Sequence, residues 1–432
     1  MTEAKNIFVV APDEVHWEEL QTVSGVGETI QVHPLLRPSD VVHVEDLRVK
    51  ELLAKARAEL DAFGGSVDGI IAQWDFPTTM LVPILCRERG LRSPTLDAVV
   101  RCGHKYWSRV AQRKAIPAHT PKFQLIDPFD ETVGDRLELE YPFWMKPVKA
   151  FSSQLGFRIG SREDLEDAMA KTREEIERLA APFDRILQEA EVGDEIRAIG
   201  GAYCIAEQYL SGLEVAHEGY VQDGEVVFHG TLDMIREEEV FTHFLWPSSK
   251  PDAVIERMED ATRELLTSIG FDDGCFNAEY FWDPDTNDLF IIEVNPRMSQ
   301  SHAPLAMLVD GCSNHEIAID IALARRPNFD PNRGRYAVAG KFLERVRQDG
   351  VVKRVPTEVE LADLRSRFPS STICVEVDEG QRLSELLDQD AYSYKYAEVY
   401  MGAENREKLL EQHQALLESI PFEIEPVTSA NP

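Results

Sequence analysis

The chain has 432 residues and a formal net charge of −32, from 45 Lys and Arg against 77 Asp and Glu. That balance argues against nucleic acid and anionic lipid as partners, since both are polyanions held by clustered cations. At 43% hydrophobic residues the composition is globular, and the length exceeds one ordinary core, so roughly two to four domains are expected.

The opening stretch, MTEAKNIFVVAPDE, lacks the basic start, apolar run and small-residue cleavage site of a secretory signal. No apolar run approaches the roughly 20 residues of a membrane span, so the cytoplasm is the expected compartment. Ile7–Val10 reads as a buried strand, and VDGIIAQW (67–74) as a second, followed by a helix over 78–89. Between them, Leu47, Leu52, Leu53, Ala56 and Leu60 fall at helical spacing. Strand, helix, strand, helix predicts a parallel sheet with helices on its faces, a small Rossmann-like α/β domain over 1–115.

Ser93-Pro94 is expected to open a single helix that Pro117 stops. EYPFWMKPV (140–148) and LGFRI (155–159) read as strands around the small polar loop KAFSSQ. SREDL then starts a helix with Ser161 and Asp164 as a capping box and Leu165, Met169, Thr172, Ile176 and Leu179 as its buried stripe. AYCIAEQYL, LEVAHEGYVQ and EVVFHGTL are strand-like, with Asp223-Gly224 as a hairpin turn. A helix over 251–269 ends at Gly270. CFNAEYFW and LFIIEVN form a further pair of strands across DPDTND, and a helix covers 314–325. From Arg333 the chain turns to short strands (RYAVAGKFL, TICVEV) and a closing helix over 404–419. The expected divisions are 1–115, 116–205, 206–330 and 331–432. The six cysteines lie far apart without a CxxC pair and read as reduced, buried thiols.

The chemistry concentrates in CFNAEYFW–DPDTND–LFIIEVNPR. Alternation puts Glu293 and Asn295 on one face, and in-register pairing brings Glu279 to them. Two carboxylates and an amide oxygen are hard ligands suited to Mg²⁺, which leaves positions for phosphate oxygens. Arg297, just beyond, offers a planar fork to a phosphoryl or carboxylate group. Only 14 of the 45 cations are lysines, which singles out Lys146 at a strand end and Lys105 in RCGHKYW; with the metal hairpin they suit nucleotide phosphates. Ser152, Ser153 and Gly156 are small enough for backbone amides to approach phosphate. The loop fits neither GxxxxGK[ST] nor GxGxxG, so P-loop and Rossmann dinucleotide readings fail.

Strand-end Lys146, the small-residue loop, AEQYLSGLE and FIIEVNPR occur in the order and spacing of the ATP-grasp superfamily, which residues 105–297 resemble. The resemblance implies an ATP-grasp fold of α/β layers with a preceding α/β domain and a small C-terminal domain. It implies that Lys105 and Lys146 contact phosphates, as would the loop of Ser152 and Ser153, which departs from more glycine-rich relatives. Glu207 would receive the adenine amino group, the backbone at Tyr209 and Leu210 would meet the ring, and Glu214 would hold the ribose. Glu279, Glu293 and Asn295 would bind Mg²⁺ (or Mn²⁺), and Arg297 the transferred phosphoryl group.

Three functions follow. The first is a ligase joining a small-molecule carboxylate to an amine, similar to the L-amino-acid ligases through KFLERVRQDGVV and HFLWPSS. His243, Trp246 and Ser301 are then candidate substrate contacts, and His302 a candidate acceptor for the amine proton. The second is a carboxylase resembling biotin carboxylase, although Ser301 stands where that family has a glutamate. The third is a nucleotide-binding regulator without turnover. Oligomeric state is open, with a homodimer as one expectation.

Overall fold

The computed structural model describes residues 4–41, 44, 47–149, 155–189, 193–237, 240–386 and 393–427. The chain divides into two compact units. The first comprises Met1–His229, Pro251–Gln300 and Asn314–Phe329, and the second Gly230–Lys250, Ser301–Ser313 and Asp330–Pro432. No helix among the described residues is long and apolar enough to cross a membrane.

The first unit begins with a parallel sheet in the order Ile30–Leu35, Lys5–Val10, Gly69–Ala72. The expected strands and the helices Val49–Ala62 and Thr78–Arg89 are present, with Leu52, Leu53, Ala56 and Leu60 buried. The strand Ile30–Leu35 and the helix Glu14–Gln21 were not anticipated. The strand contains Pro34 and lies at the sheet edge, where a missing N–H costs no ladder bond.

The single helix expected after Ser93 is instead two, Leu96–Gly103 and Lys105–Ala115. Thr95 caps the first by accepting from the Ala98 N–H, and the His104 ring caps the second by accepting from the Trp107 N–H. This break has a functional effect. It places Lys105 in the first turn of a new helix, where its backbone N–H donates to Val148 O at 2.9 Å, beside the strand that carries Lys146.

Next comes an antiparallel sheet in the order Phe123–Ile126, Cys204–Gln208, Phe143–Pro147, Phe157–Ile159. Phe143, Met145, Cys204 and Ala206 share a core with Leu165, Met169 and Ile176 of the helix Arg162–Glu189. Alternation therefore leaves Trp144, Lys146, Ile205 and Glu207 on the opposite face. Ser161 Oγ accepts from the Asp164 N–H at 3.2 Å, but the Asp164 carboxylate accepts from the Gly160 N–H at 2.9 Å; the reciprocal half of the cap is displaced by one residue.

The third layer of this unit joins Leu213–Gln222, Gly274–Trp282 and Leu289–Asn295, all antiparallel. Val254, Met258, Ala261 and Leu265 of the helix Asp252–Ile269 pack on it, and Gly270 ends that helix at φ +69°. Asp223 and Gly224, at φ +51° and +77°, make the expected turn into the strand Glu225–Glu237.

The second unit pairs Val240–Trp246, Val338–Val346, Tyr394–Ala403 and Ser371–Val375 antiparallel, in that order. Leu245, Phe342, Val399, Met401, Leu361 and Leu409 form its core. The strand Val240–Trp246 and the helix Ala303–Asp310 were not anticipated.

Candidate active site

In the hairpin of the first unit Glu279 stands opposite Glu293 and Asn277 opposite Asn295, and the pairing reaches this arrangement through a register shift between Glu279 and Tyr280 rather than by unbroken in-register pairing. Asn295 is buried and donates from Nδ2 to Glu279 Oε1 at 3.2 Å and to Asn277 Oδ1 at 3.1 Å. Glu279 and Glu293 are half-buried. The Arg297 N–H turns back to Asn295 O at 2.9 Å, which carries the guanidinium past the end of the strand.

Glu207 and Lys146 meet on the open face of the four-stranded sheet, Lys146 Nζ lying 2.8 Å from Glu207 Oε2. The other Glu207 oxygen accepts from Arg109 Nε at 2.6 Å. Burial pushes the Glu207 carboxyl up, yet Arg109 and Lys146 outweigh it and hold the group at about 2. Arg109, 3% exposed, also donates to the carbonyls of Ile291 and Ile292, both at 2.9 Å. One guanidinium thus ties the lysine-bearing sheet to the hairpin of Glu279 and Glu293.

Two charged residues that sequence reasoning missed complete the cluster. Asp75 follows the carboxyl end of the parallel strand Gly69–Ala72, the edge at which open α/β sheets bind ligands. Its Oδ2 lies 3.5 Å from Arg297 Nη2, and its Oδ1 accepts from the Phe76 N–H at 2.8 Å. Burial raises the Asp75 carboxyl, but Arg297, Lys149 and Lys105 prevail and hold it below the usual carboxylate range. Lys149 is buried, donates to Gly103 O at 3.2 Å and sits over the Phe76 ring. Burial pulls its amine down to about 8, with Asp75 opposing and Lys105 adding to the fall. Lys105 is likewise depressed by burial, with Glu293 the main opposing charge. Sequence position gave one usable signal, the placement of Asp75 after a parallel strand.

Tyr209 and Leu210 are half-buried after the strand that carries Glu207, and the Arg158 guanidinium lies over the Tyr209 ring. Gly212 follows at φ +136°, where an added Cβ would meet Trp282 O at 2.7 Å; only glycine fits this approach. Glu214 is buried opposite Phe281. Ser152 and Ser153 lie outside the described residues. Ser301, His302, His243 and Trp246 belong to the second unit. There, buried His302 meets the Phe244 ring, His243 stacks on Phe342, and Trp246, 2% exposed, donates from Nε1 to Asp310 at 2.9 Å.

Glu279, Glu293 and Asn295 fit a magnesium ion. They offer hard oxygen donors on one face, and the Asn295 amide has turned its NH₂ toward its neighbours, which leaves Oδ1 for a cation. Among the described residues no three His, Cys, Asp or Glu side chains group as a metal site. A cradle of two carboxylates and an amide agrees with that, since Mg²⁺ is commonly completed by phosphate oxygens and water.

Residues 139–304 match the profile of the ATP-grasp domain. The carbamoyl phosphate synthase large chain of Thermotoga sp. (strain RQ2) is 31% identical over 354 residues, 78% of this chain and 29% of that protein, so the chain spans less than a third of that relative's length. In fold, the L-amino acid ligase of Bacillus licheniformis superposes with a TM-score of 0.76 at 16% identity, covering 99% of this chain and 100% of that one. The biotin carboxylase domain of the Hydrogenobacter thermophilus 2-oxoglutarate carboxylase, a dimer solved with MgADP, ADP and bicarbonate, gives 0.62 at 16% identity, covering 99% and 92%. Ordered motifs, sheet topology and profile agree: residues 139–304 of this chain are an ATP-grasp domain.

Proposed function

We propose that the protein is an ATP-dependent ligase that joins a carboxylate to an amine and releases ADP and phosphate. The observation that carries this reading is Asp75 beside Arg297, 3.5 Å apart, in a cluster that also holds Lys105, Lys149 and Glu293. An arginine fork suits a carboxylate or phosphoryl group, and an ionised aspartate next to it suits an ammonium, so one site receives both halves of an amide.

Lys105 and Lys146 neutralise nucleotide phosphates, Glu207 with the backbone at Tyr209 and Leu210 holds adenine, and Glu214 holds ribose. Glu279, Glu293 and Asn295 would hold magnesium, which would supply charge neutralisation at the phosphates. The substrate carboxylate oxygen takes the terminal phosphoryl group as the bond to ADP breaks. The ammonium first gives up a proton to solvent; the free amine nitrogen then attacks the acyl carbon, a C–N bond forms, the C–O bond breaks, and phosphate leaves carrying the second proton of the nitrogen. Positioning and electrostatics suffice for both steps, without a covalent protein nucleophile.

The test is ADP release with amino acids supplied as carboxylate and amine, with product mass read alongside. The expected result is turnover that needs both substrates and an amide weighing their sum less water. Bicarbonate-dependent turnover without amide would replace this reading with the carboxylase. No ADP under any pairing, with ADP binding retained, would leave a nucleotide-binding regulator.

A further inference from the structure

We propose that Glu218 is a positioning residue that fixes which end of the Asn295 side chain faces the cation. The inference rests on the magnesium reading of Glu279, Glu293 and Asn295. Glu218 pairs in register with Asn277, and Asn277 with Asn295, so the three stand in one row across three strands. Glu218 is 0% exposed and Asn277 1%. Its carboxylate accepts from Asn277 Nδ2 at 2.8 Å, from the Ser299 N–H at 3.2 Å and from Asn314 Nδ2 at 3.3 Å.

The row has a polarity. A carboxylate accepts and does not donate, so it draws the NH₂ end of Asn277 toward itself. Asn277 must then present Oδ1 to the next strand, where it accepts from Asn295 Nδ2 at 3.1 Å. The second hydrogen of that amide goes to Glu279 Oε1 at 3.2 Å. Both hydrogens of Asn295 are committed, and its oxygen is what remains for a metal. Reversing the row would aim an NH₂ group at the cation, and a ligand that repels replaces one that binds. Through the Ser299 N–H and Asn314, the same carboxylate also holds the segment that follows Arg297.

The test is Mn²⁺ titration of the full chain with saturating ADP, free Mn²⁺ being read by its electron paramagnetic resonance signal and Tm measured in parallel. Wild type comes first: absence of nucleotide-dependent Mn²⁺ binding there would sink the metal reading itself. With wild-type binding in hand, Glu218→Ala is expected to weaken Mn²⁺ by about 10- to 100-fold. Should that variant fail to fold, Asn277→Asp and the double variant Glu218→Gln/Asn277→Asp decide. In the single variant two carboxylates face each other, and affinity should fall about tenfold or more. In the double variant the introduced glutamine amide donates to the introduced aspartate, whose second oxygen accepts from Asn295. Polarity and charge are both restored, and affinity should return to within about threefold of wild type. A lowered Tm with unchanged Mn²⁺ affinity, or a double variant no better than Asn277→Asp, would overturn the proposal.

Discussion

Each unit buries a cluster of lysines and carboxylates, and the two are wired differently. In the second unit Glu398 receives Lys341 at 2.9 Å, Lys395 at 2.5 Å and the Tyr400 hydroxyl at 3.1 Å, while Lys395 also reaches Glu376 at 2.8 Å. Burial would lower the Lys395 amine, but Glu398 and Glu376 outweigh it and the amine is raised. In the first unit Asp75 and Arg297 stand 3.5 Å apart and Lys149 donates to a neutral carbonyl. There burial wins, and the Lys149 amine falls to about 8. In the second unit both lysines lie against carboxylates, although burial still lowers the Lys341 amine. In the first unit the depressed Lys149 amine is bonded to a carbonyl, and perturbed groups of this kind are informative about function.

The comparison can be broken at three points. The largest effect is expected at the metal hairpin: Glu293→Gln should lower Mg²⁺-dependent ADP formation by on the order of 10² to 10³, the scale of one preorganised electrostatic group. Its Tm should change little, because relieving two facing carboxylates offsets the loss of the charge that Glu293 sets against buried Lys105. Near-normal turnover would mark Glu293 as a bystander.

At Glu398 the effect should fall on stability instead. Glu398→Ala removes the carboxylate that buried Lys341 pairs with and leaves Lys395 to Glu376, and urea unfolding should show a loss on the order of 3–5 kcal/mol. An unchanged midpoint would mean that the closed cluster does not hold its sheet.

The smallest effect is pH-dependent. The folded value of Lys149, about 8, lies below its ordinary 10.5. Below pH 8 it is charged in both states and its burial costs stability. Between the two values the unfolded chain binds more protons, so this contribution to stability rises with pH. Lys149→Met should remove that rise and stabilise the protein near pH 7 by on the order of 1–3 kcal/mol. A variant with the wild-type pH profile would show that Lys149 is not the titrating group.

The hairpin was legible only in part: period two puts Glu293 and Asn295 on one face, but a register shift between Glu279 and Tyr280, which no loop length encodes, is what sets Glu279 opposite Glu293. The break at His104 had a local signal, Gly103, that was overlooked. Asp75 gave one signal, its place after a parallel strand, but its link to Arg297 spans 222 residues, and no local pattern encodes a side-chain pairing at that separation. Arg109 was hidden likewise, being one polar residue in a helix whose partners, Glu207, Ile291 and Ile292, come from two distant strands. Glu218 reads as an ordinary charged residue in an alternating strand until the row of amides beside it is seen.

The second unit is assembled from three separate stretches of chain, Gly230–Lys250, Ser301–Ser313 and Asp330–Pro432. During synthesis the strand Val240–Trp246 emerges long before its neighbour Val338–Val346, and must wait through almost a hundred residues with an unpaired edge rich in aromatics, among them Phe244 and Trp246. Such an edge invites pairing with other chains, and non-local pairing of this kind is slow to form. A fragment cut after Phe329 would keep that edge permanently bare. The unit therefore cannot be handled as a detachable module, and shortening the protein from its C-terminal side should yield aggregate rather than a smaller nucleotide-binding protein.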